Sequence, residues 1–301
     1  LNDCDFTYAE LRRIKKFLKK KKKIIIYLQF SYAAFRSDDE WMQKAANFKL
    51  VNLLNTYKIF KADLIIPYAS FVYFSNSENF RLNKYMNNVE TTSNYLKNNS
   101  VNHCILNPDI DEINIEEFLS DKSKRLEITK KSINFWDNKF KNIKLKNEIN
   151  EIHEISKDIK KEFLLRIKKA NSLFLLFFIR FFSFKYFFGD VIIHLKDTNE
   201  TYSLNFFKIV KHNNFPKSKI DIEMLSRRFF FLLKYPYGID TISSNGCLFE
   251  NKKNSFEKMI RAIGFVSLNQ TNNGITIKSI FNRNIINKIL SIFIRLKLKN
   301  S

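Results

Sequence analysis

Cysteine, histidine and glycine are scarce in this sequence, and their scarcity excludes several classes of functional site. The three cysteines, Cys4, Cys104 and Cys247, are far apart, which indicates neither a disulfide framework nor a CxxC metal site. The four histidines stand alone, without the HxH or HExxH spacing that would bring two of them to one metal ion. The five glycines form no GxxxxGK or GxGxxG phosphate loop, and no GxSxG elbow occurs. We therefore expect no self-contained zinc site, glycine-rich nucleotide loop or serine-hydrolase elbow.

Positive charge is abundant by contrast. Lys and Arg number 52 against 30 Asp and Glu, a net charge of +22, which favours nucleic acid, an anionic membrane surface or an acidic small molecule as partner. RNA-binding signatures are absent and most aromatic residues lie in apolar runs, so we expect an acidic small molecule and no nucleic acid. The sparse cysteines and the lack of a recognisable signal peptide favour the cytoplasm. A first residue of Leu rather than Met indicates a fragment.

The first part of the chain predicts an α/β fold with a mostly parallel sheet. Apolar runs typical of strands, separated by helical patterns, cover Lys23–Phe30, Ala62–Pro67 and Val101–Leu106. The resulting βαβαβ order implies right-handed crossovers and places the loops that follow the strands at one edge of the sheet.

The remainder of the chain predicts a helical connector and a second, smaller α+β domain. The charged region Ser123–Lys169 is typical of helix, and the apolar segment Ser172–Phe188 is interrupted by charges, which favours a buried helix over a membrane span. The pattern after residue 189 predicts a βββαβα order, with its fourth strand over Asp240–Phe249. The basic tail from Gly274 predicts a helix packed on its own domain, with a membrane surface as the less favoured alternative. The predicted divisions are 1–120, 121–171, 172–270 and 271–301.

The stretch Ala62–Phe80 is the strongest candidate for a functional loop. A buried strand ends at Pro67 and opens into a loop rich in hydroxyl, amide and aromatic side chains. One interpretation makes this loop part of a binding edge. The other makes its aromatic residues core and its amides turn formers, and the pattern alone does not choose between them.

Three segments in order carry a resemblance to a known family: Asn2-Asp3-Cys4-Asp5, then QFSYAAF from Gln29, then IIPYASFVYFSNSEN from Ile65. They resemble the C-terminal half of a metallo-β-lactamase (MBL) fold protein, in the branch of UlaG-like lactonases and the CMP-N-acetylneuraminate and UDP-N-acetylmuramate hydroxylases. The segment around Tyr235–Thr241 is similar to an appended SCP2-like domain of some members.

The resemblance implies an αββα sandwich with a metal centre of zinc, iron or manganese that activates water or oxygen. Asp3 would be its bridging carboxylate, and Arg36, Tyr73, Asn79 and Arg81 would orient the phosphate or carboxylate of the substrate. The family's HxHxDH loop lies in the N-terminal half, which this sequence lacks, and Pro67-Tyr68-Ala69 stands where the family often has a PxH metal ligand.

These departures imply a fragment that needs the missing N-terminal half as partner, that holds no metal by itself and that is inactive alone. The parent protein would be a hydrolase or oxygenase acting on an acidic metabolite, such as a nucleotide sugar or a surface-polysaccharide precursor. The alternative is a binding or scaffold protein with a degenerate metal site, whose SCP2-like domain takes an apolar ligand.

Overall fold

The computed structural model describes residues 8–18, 21, 23–32, 39–107, 114–145, 151–182 and 189–263, together with 274, 276 and 278. The chain divides into two compact units, Leu1–Glu148 and Ile149–Ser301. Both units contain helices and short strands, so the expected mixed α/β class is confirmed. Predictions for Asp3, Arg36 and nearly all of the tail from residue 271 fall outside the described residues.

Unit 1 is built on a βαβ motif. Its elements are α1 (Tyr8–Leu18), β1 (Ile25–Gln29), α2 (Asp39–Phe60), β2 (Leu64–Tyr68), a 3-10 helix (Phe80–Tyr85), α3 (Val89–Asn98), α4 (Ile115–Ser120) and α5 (Lys122–Lys141). Strands β1 and β2 pair in parallel, in a register that runs from Ile25 opposite Leu64 to Gln29 opposite Tyr68. The predicted parallel pairing of these two strands is therefore confirmed.

Strand β2 is buried on both faces, whereas β1 buries Ile26 and Leu28 and leaves Tyr27 exposed. Ile26, Leu28 and Ile65 pack in one hydrophobic cluster with Leu53 of α2 and Leu11 of α1. Leu64 and Ile66 belong to a second cluster with Cys104, Phe118 and Ile128. Strand β2 thus contributes side chains to both clusters, as a strand at the centre of an α/β layer does.

The third predicted strand, over residues 101–106, is reduced to one bridge. His103 lies opposite Ile65, and the Ile65 N–H donates to the carbonyl of Asn102 at 3.0 Å. The Cys104 N–H also donates to the Ile65 carbonyl at 3.1 Å. The next bond of a parallel ladder would need an N–H on Pro67, which has none. The Ile105 N–H points away from β2 and donates to Thr129 Oγ1 of α5 at 3.2 Å.

The expected helical connector is two separate helices. Helix α5 packs in unit 1, with Ile128, Thr129 and Ser132 buried. Helix α6 (Lys157–Ala170) belongs to unit 2, where Phe163 and Ile167 are buried. Each of the two helices therefore contributes buried side chains to its own unit.

Unit 2 contains a five-stranded sheet with the order β5-β4-β3-β6-β7. Its elements after α6 are α7 (Leu173–Phe182), β3 (Val191–Leu195), β4 (Glu200–Leu204), β5 (Ile209–His212), a 3-10 turn (Lys217–Lys219), β6 (Ile222–Met224), α8 (Ser226–Lys234), α9 (Gly238–Asn245), β7 (Phe249–Glu250) and α10 (Ser255–Ile263). Strands β3 and β4 form an antiparallel hairpin, and β6 pairs with β3 in parallel.

The predicted strand over Asp240–Phe249 is wrong. Residues Gly238–Asn245 form helix α9, with Ile239 and Ile242 buried three positions apart and Gly246 at φ 61° ending the helix in the left-handed region. A Cβ on Gly238 would lie 2.6 Å from Leu232 Cα, so only glycine permits the close approach of α9 to α8. The β-branched residues favoured a strand, and tertiary packing of the two isoleucines decided for a helix.

The prediction that Ser172–Phe188 forms a buried helix is also wrong in part. Helix α7 buries Leu176 but leaves Phe174 and Phe177 exposed. In the described part of the chain, every helix is too short or too polar to cross a membrane.

Candidate functional site at the carboxyl edge of the parallel strands

The loops after β1 and β2 leave the same edge of unit 1, because the two strands are parallel. Ser31 follows β1 by two positions, and Ser70 follows β2 by two positions. Between β2 and Ser70, Ala69 has φ 56°, a left-handed conformation that a non-glycine residue adopts only where its surroundings fix it. The chain therefore turns sharply at the end of β2, where Ser70 bonds to the end of β1.

Ser70 joins the two loops. Its Oγ accepts from the backbone N–H of Ser31 at 2.9 Å and of Phe30 at 3.2 Å, and it donates to the Ser31 carbonyl at 3.2 Å. Both serines are buried. One hydroxyl thus satisfies backbone groups that the end of β1 would otherwise leave unpaired inside the protein.

Asn87 links the same loop to the segment before α3 and to helix α2. Its Nδ2 donates to the carbonyls of Phe30 at 2.9 Å and Ala46 at 2.7 Å. Its backbone N–H donates to Ser31 Oγ at 3.1 Å. Since Asn87 is buried, these bonds fix the end of β1 against α2.

Two more asparagines hold the loop after β2. Asn83 accepts the Phe74 N–H at 2.9 Å through Oδ1 and donates to the Phe74 carbonyl at 2.8 Å through Nδ2. Asn79 is buried, and its Oδ1 accepts the N–H of Asn76 at 3.2 Å. The asparagine amides therefore serve as turn formers here.

A cleft of about 60 Å³ lies beside this network. Its walls carry aromatic rings from the loop after β2 and from α5, with amide groups and one carboxylate between them. The residues that line it include Ser70, Phe71, Tyr73, Asn83, Asn87, Trp136, Asp137 and Phe140. The rings of Phe71 and Trp136 are stacked with centroids 4.9 Å apart. The space is sufficient for a few water molecules or a small polar group.

Tyr73 and Asp137 set the electrostatics of the cleft. The Tyr73 hydroxyl donates to the Trp136 carbonyl at 3.3 Å, and partial burial together with the charge of Asp137 raises the pKa of Tyr73. The indole N–H of Trp136 is buried and has no hydrogen-bond partner among the described residues.

No family model matches this chain, and no curated protein or solved structure shows significant similarity to it.

The structure brings together only part of the residue set that the sequence proposed. Tyr73 lines the cleft, Asn79 is buried in the turn that precedes the 3-10 helix, and Arg81 lies exposed on that helix. Arg81 is not among the lining residues of the cleft. Arg36 and Asp3 lie outside the described residues.

Sequence reasoning missed Asn83, Asn87 and Asp137 as members of the site. A signal existed for one neighbouring pair, since Trp136 and Phe140 are spaced i, i+4, which places both on one face of α5. Nothing in the sequence indicated that this face would meet the loop after β2.

The buried nucleophiles and bases of unit 1 have structural partners. His103 contacts Ser93 Oγ at 3.0 Å and the Val101 carbonyl at 2.9 Å, and burial lowers its pKa. Burial raises the pKa of the Cys104 thiol to about 11, which makes its thiolate scarce at neutral pH. Within the described ranges no three His, Cys, Asp or Glu side chains are grouped so that they could hold a metal ion.

Proposed function

We propose that residues 1–120 are the C-terminal half of an MBL-fold domain, and that the full-length protein is a metal-dependent hydrolase or oxygenase. Its substrate in this proposal is an acidic metabolite, such as a nucleotide sugar or a surface-polysaccharide precursor. Unit 1 would contribute the loops at the carboxyl edge of β1 and β2 to the substrate site.

One observation carries the proposal. The two longer segments that resemble the family begin on adjacent parallel strands: QFSYAAF starts at Gln29, the last residue of β1, and IIPYASFVYFSNSEN starts at Ile65 within β2. The loops are hydrogen bonded to each other through Ser70 and Ser31. In open α/β sheets, ligands bind outside the carboxyl ends of the strands, so two family-like segments that meet at this edge support a shared site there.

The metal centre needs ligands beyond the described residues. In the proposal Asp3 supplies one carboxylate, and polypeptide upstream of residue 1 supplies the histidines. The described residues do not fit a complete centre, because Tyr68 and Ser70 occupy the region of the family's terminal histidine and Ser70 is engaged with Ser31. A lone carboxylate binds a divalent ion weakly.

In this proposal the arginines bind the acidic group of the substrate. Arg36 and Arg81 offer paired N–H donors that match a phosphate or a carboxylate. Tyr73 acts in this proposal as a wall of the cleft and through the lone pairs of its hydroxyl, since the hydroxyl proton already bonds to Trp136. Asn79 supports the substrate site indirectly, by holding the turn that leads to Arg81.

The test is the metal content of the purified full-length protein, measured by mass spectrometry after gel filtration. We expect about one or two equivalents of zinc, iron or manganese per chain. Asp3→Ala should lose at least half of the metal, whereas Asp5→Ala, the matched control two residues away, should keep it. A metal-free wild-type protein would exclude the enzyme and leave the binding or scaffold alternative. Equal metal content in the two variants would remove Asp3 from the site.

A further inference from the structure

Helix α7 presents a row of phenylalanines to solvent. Phe174 and Phe177 are 72% and 62% exposed, and the side chains at 173, 178 and 181 are exposed as well. Positions 174, 177, 178 and 181 follow the i, i+3, i+4, i+7 spacing that places side chains on one face of a helix. The opposite face carries Leu176, which is fully buried in unit 2.

The aromatic stripe of α7 faces the opposite way from the apolar stripe of an ordinary surface helix. An apolar stripe with that spacing normally faces the core, and polar residues face water. Among the α7 side chains whose burial is described, Leu176 is buried, whereas the aromatic stripe faces outward. A contiguous apolar surface of this kind marks an interaction site.

The joint between α6 and α7 holds positive charge next to the aromatic row. Lys168 and Lys169 are exposed in the last turn of α6, and only Asn171 and Ser172 separate that helix from α7. Asn171 is buried and its side chain donates to the Ile167 carbonyl of α6 at 2.7 Å, and the Leu176 N–H of α7 donates to the Ser172 carbonyl at 3.0 Å. The lysines and the start of the aromatic row are therefore close along the chain, and we call this part of unit 2 the α6–α7 corner.

We propose that this corner docks unit 2 on an anionic lipid surface. Phe174 and Phe177 enter the boundary between head groups and acyl chains, and Lys168 and Lys169 contact the lipid phosphates and carboxylates. Aromatic residues on one side with lysines beside them are typical of helices that lie in a membrane interface. The ten residues of α7 are too few to span a bilayer, and the net charge of +22 attracts the whole chain to an anionic surface.

The experiment is co-sedimentation of the full chain with vesicles. Phosphatidylcholine vesicles that contain about one third phosphatidylserine are compared with vesicles of phosphatidylcholine alone. We expect saturable binding to the anionic vesicles, and at least tenfold weaker binding to the neutral vesicles. Raising the salt concentration should weaken the binding, because salt screens the lysines but not the phenylalanines.

Three double variants separate the contributions of the aromatic row and the lysines from nonspecific hydrophobic adsorption. Phe174→Ser with Phe177→Ser should weaken binding about 100-fold, from the lost apolar burial. The matched control is Phe17→Ser with Phe48→Ser, which removes two exposed phenylalanines from α1 and α2 of unit 1 and should change binding less than about twofold. Lys168→Ala with Lys169→Ala should weaken it roughly tenfold or more.

Three results would overturn the proposal. The first is equal vesicle binding by the Phe174/Phe177 variant and the wild type. The second is equal binding to anionic and neutral vesicles. The third is a dimer in sedimentation velocity that the Phe174/Phe177 variant dissociates, without vesicle binding by either protein, since the face would then join two copies of the chain. Circular dichroism of each variant shows whether the fold is intact.

Discussion

Ser70 Oγ lies 2.9 Å from the backbone nitrogen of Ser31 and 3.2 Å from the carbonyl oxygen of the same residue. A side chain from the loop after β2 therefore completes the backbone hydrogen bonding at the end of β1. The two loops that the proposed function assigns to the substrate site are joined by this hydroxyl, so its removal tests the edge on which that proposal rests.

Ser70→Ala should destabilise unit 1 by about 1–3 kcal/mol, because two buried backbone N–H groups lose their acceptor. Both tryptophans of the chain, Trp41 and Trp136, lie in unit 1, so tryptophan fluorescence during urea unfolding reports on this unit alone. Ser77→Ala is the matched control, since Ser77 is exposed in the same loop and its loss should cost less than about 0.5 kcal/mol. Equal midpoints for the two variants would contradict the assigned role of Ser70.

Asn87→Asp should destabilise unit 1 by about 3 kcal/mol or more, because a buried carboxylate would face the carbonyls of Phe30 and Ala46 in place of a donor. Asn94→Asp makes the same chemical change on the exposed side of α3 and should cost less than about 1 kcal/mol. The same fluorescence-detected unfolding measures both. A small effect at Asn87 would show that the amide does not hold the end of β1.

Much of unit 1 could be predicted from the sequence because its strands are short apolar runs with clear ends. The parallel pairing of β1 and β2 follows from the βαβ order, and their shared exit edge follows from the pairing. The third strand could not be predicted correctly, since the sequence does not show that Pro67, which has no N–H, lies on the side of β2 that faces residues 101–106. Local patterns do not contain that long-range contact.

The polar residues of the site were harder to predict than the strands. Asn79 was expected to bind substrate, yet its amide oxygen accepts a backbone N–H within its own turn, the other role that the sequence left open for such amides. Helix α9 was mistaken for a strand because Ile239, Thr241 and Ile242 are β-branched. The three-residue interval between its buried isoleucines was the helical signal.

His103 should make the stability of unit 1 depend on pH in the acid range. Its folded-state pKa is lowered by burial, whereas in the unfolded chain it titrates near its ordinary value of about 6.5. The contribution of neutral His103 to the stability of unit 1 is therefore complete above a pH of about 6.5. It is lost as the pH falls further, because the unfolded chain takes up the proton more readily than the folded chain.

Urea unfolding at about pH 7.5 and about pH 5.5, followed by tryptophan fluorescence, measures this effect. His103→Gln should reduce the loss of stability between the two pH values. His153→Gln, in unit 2, should leave it unchanged. An identical pH dependence in wild type and His103→Gln would show that His103 is not the responsible group.

Tyr73 should ionise only above the ordinary tyrosine pKa of about 10, and Asp137→Asn should bring its pKa down by removing a nearby negative charge. The ring centroids of Tyr73 and Trp136 are 6.0 Å apart, so ionised Tyr73 should quench the fluorescence of Trp136. An alkaline fluorescence titration in a Trp41→Phe background follows this quenching. Tyr73→Phe in the same background should remove the transition, and its persistence would assign it to another tyrosine.

The account depends most on the proposal that the carboxyl edge of β1 and β2 borders a metal centre that includes Asp3. The most direct measurement is an anomalous difference map from crystals of the full-length protein, collected at the absorption edge of the metal it contains. The account predicts a peak bound by the Asp3 carboxylate, beside the edge where the loop after Pro67 emerges. A peak elsewhere, or an Asp3 side chain packed in an apolar core away from that edge, would contradict it.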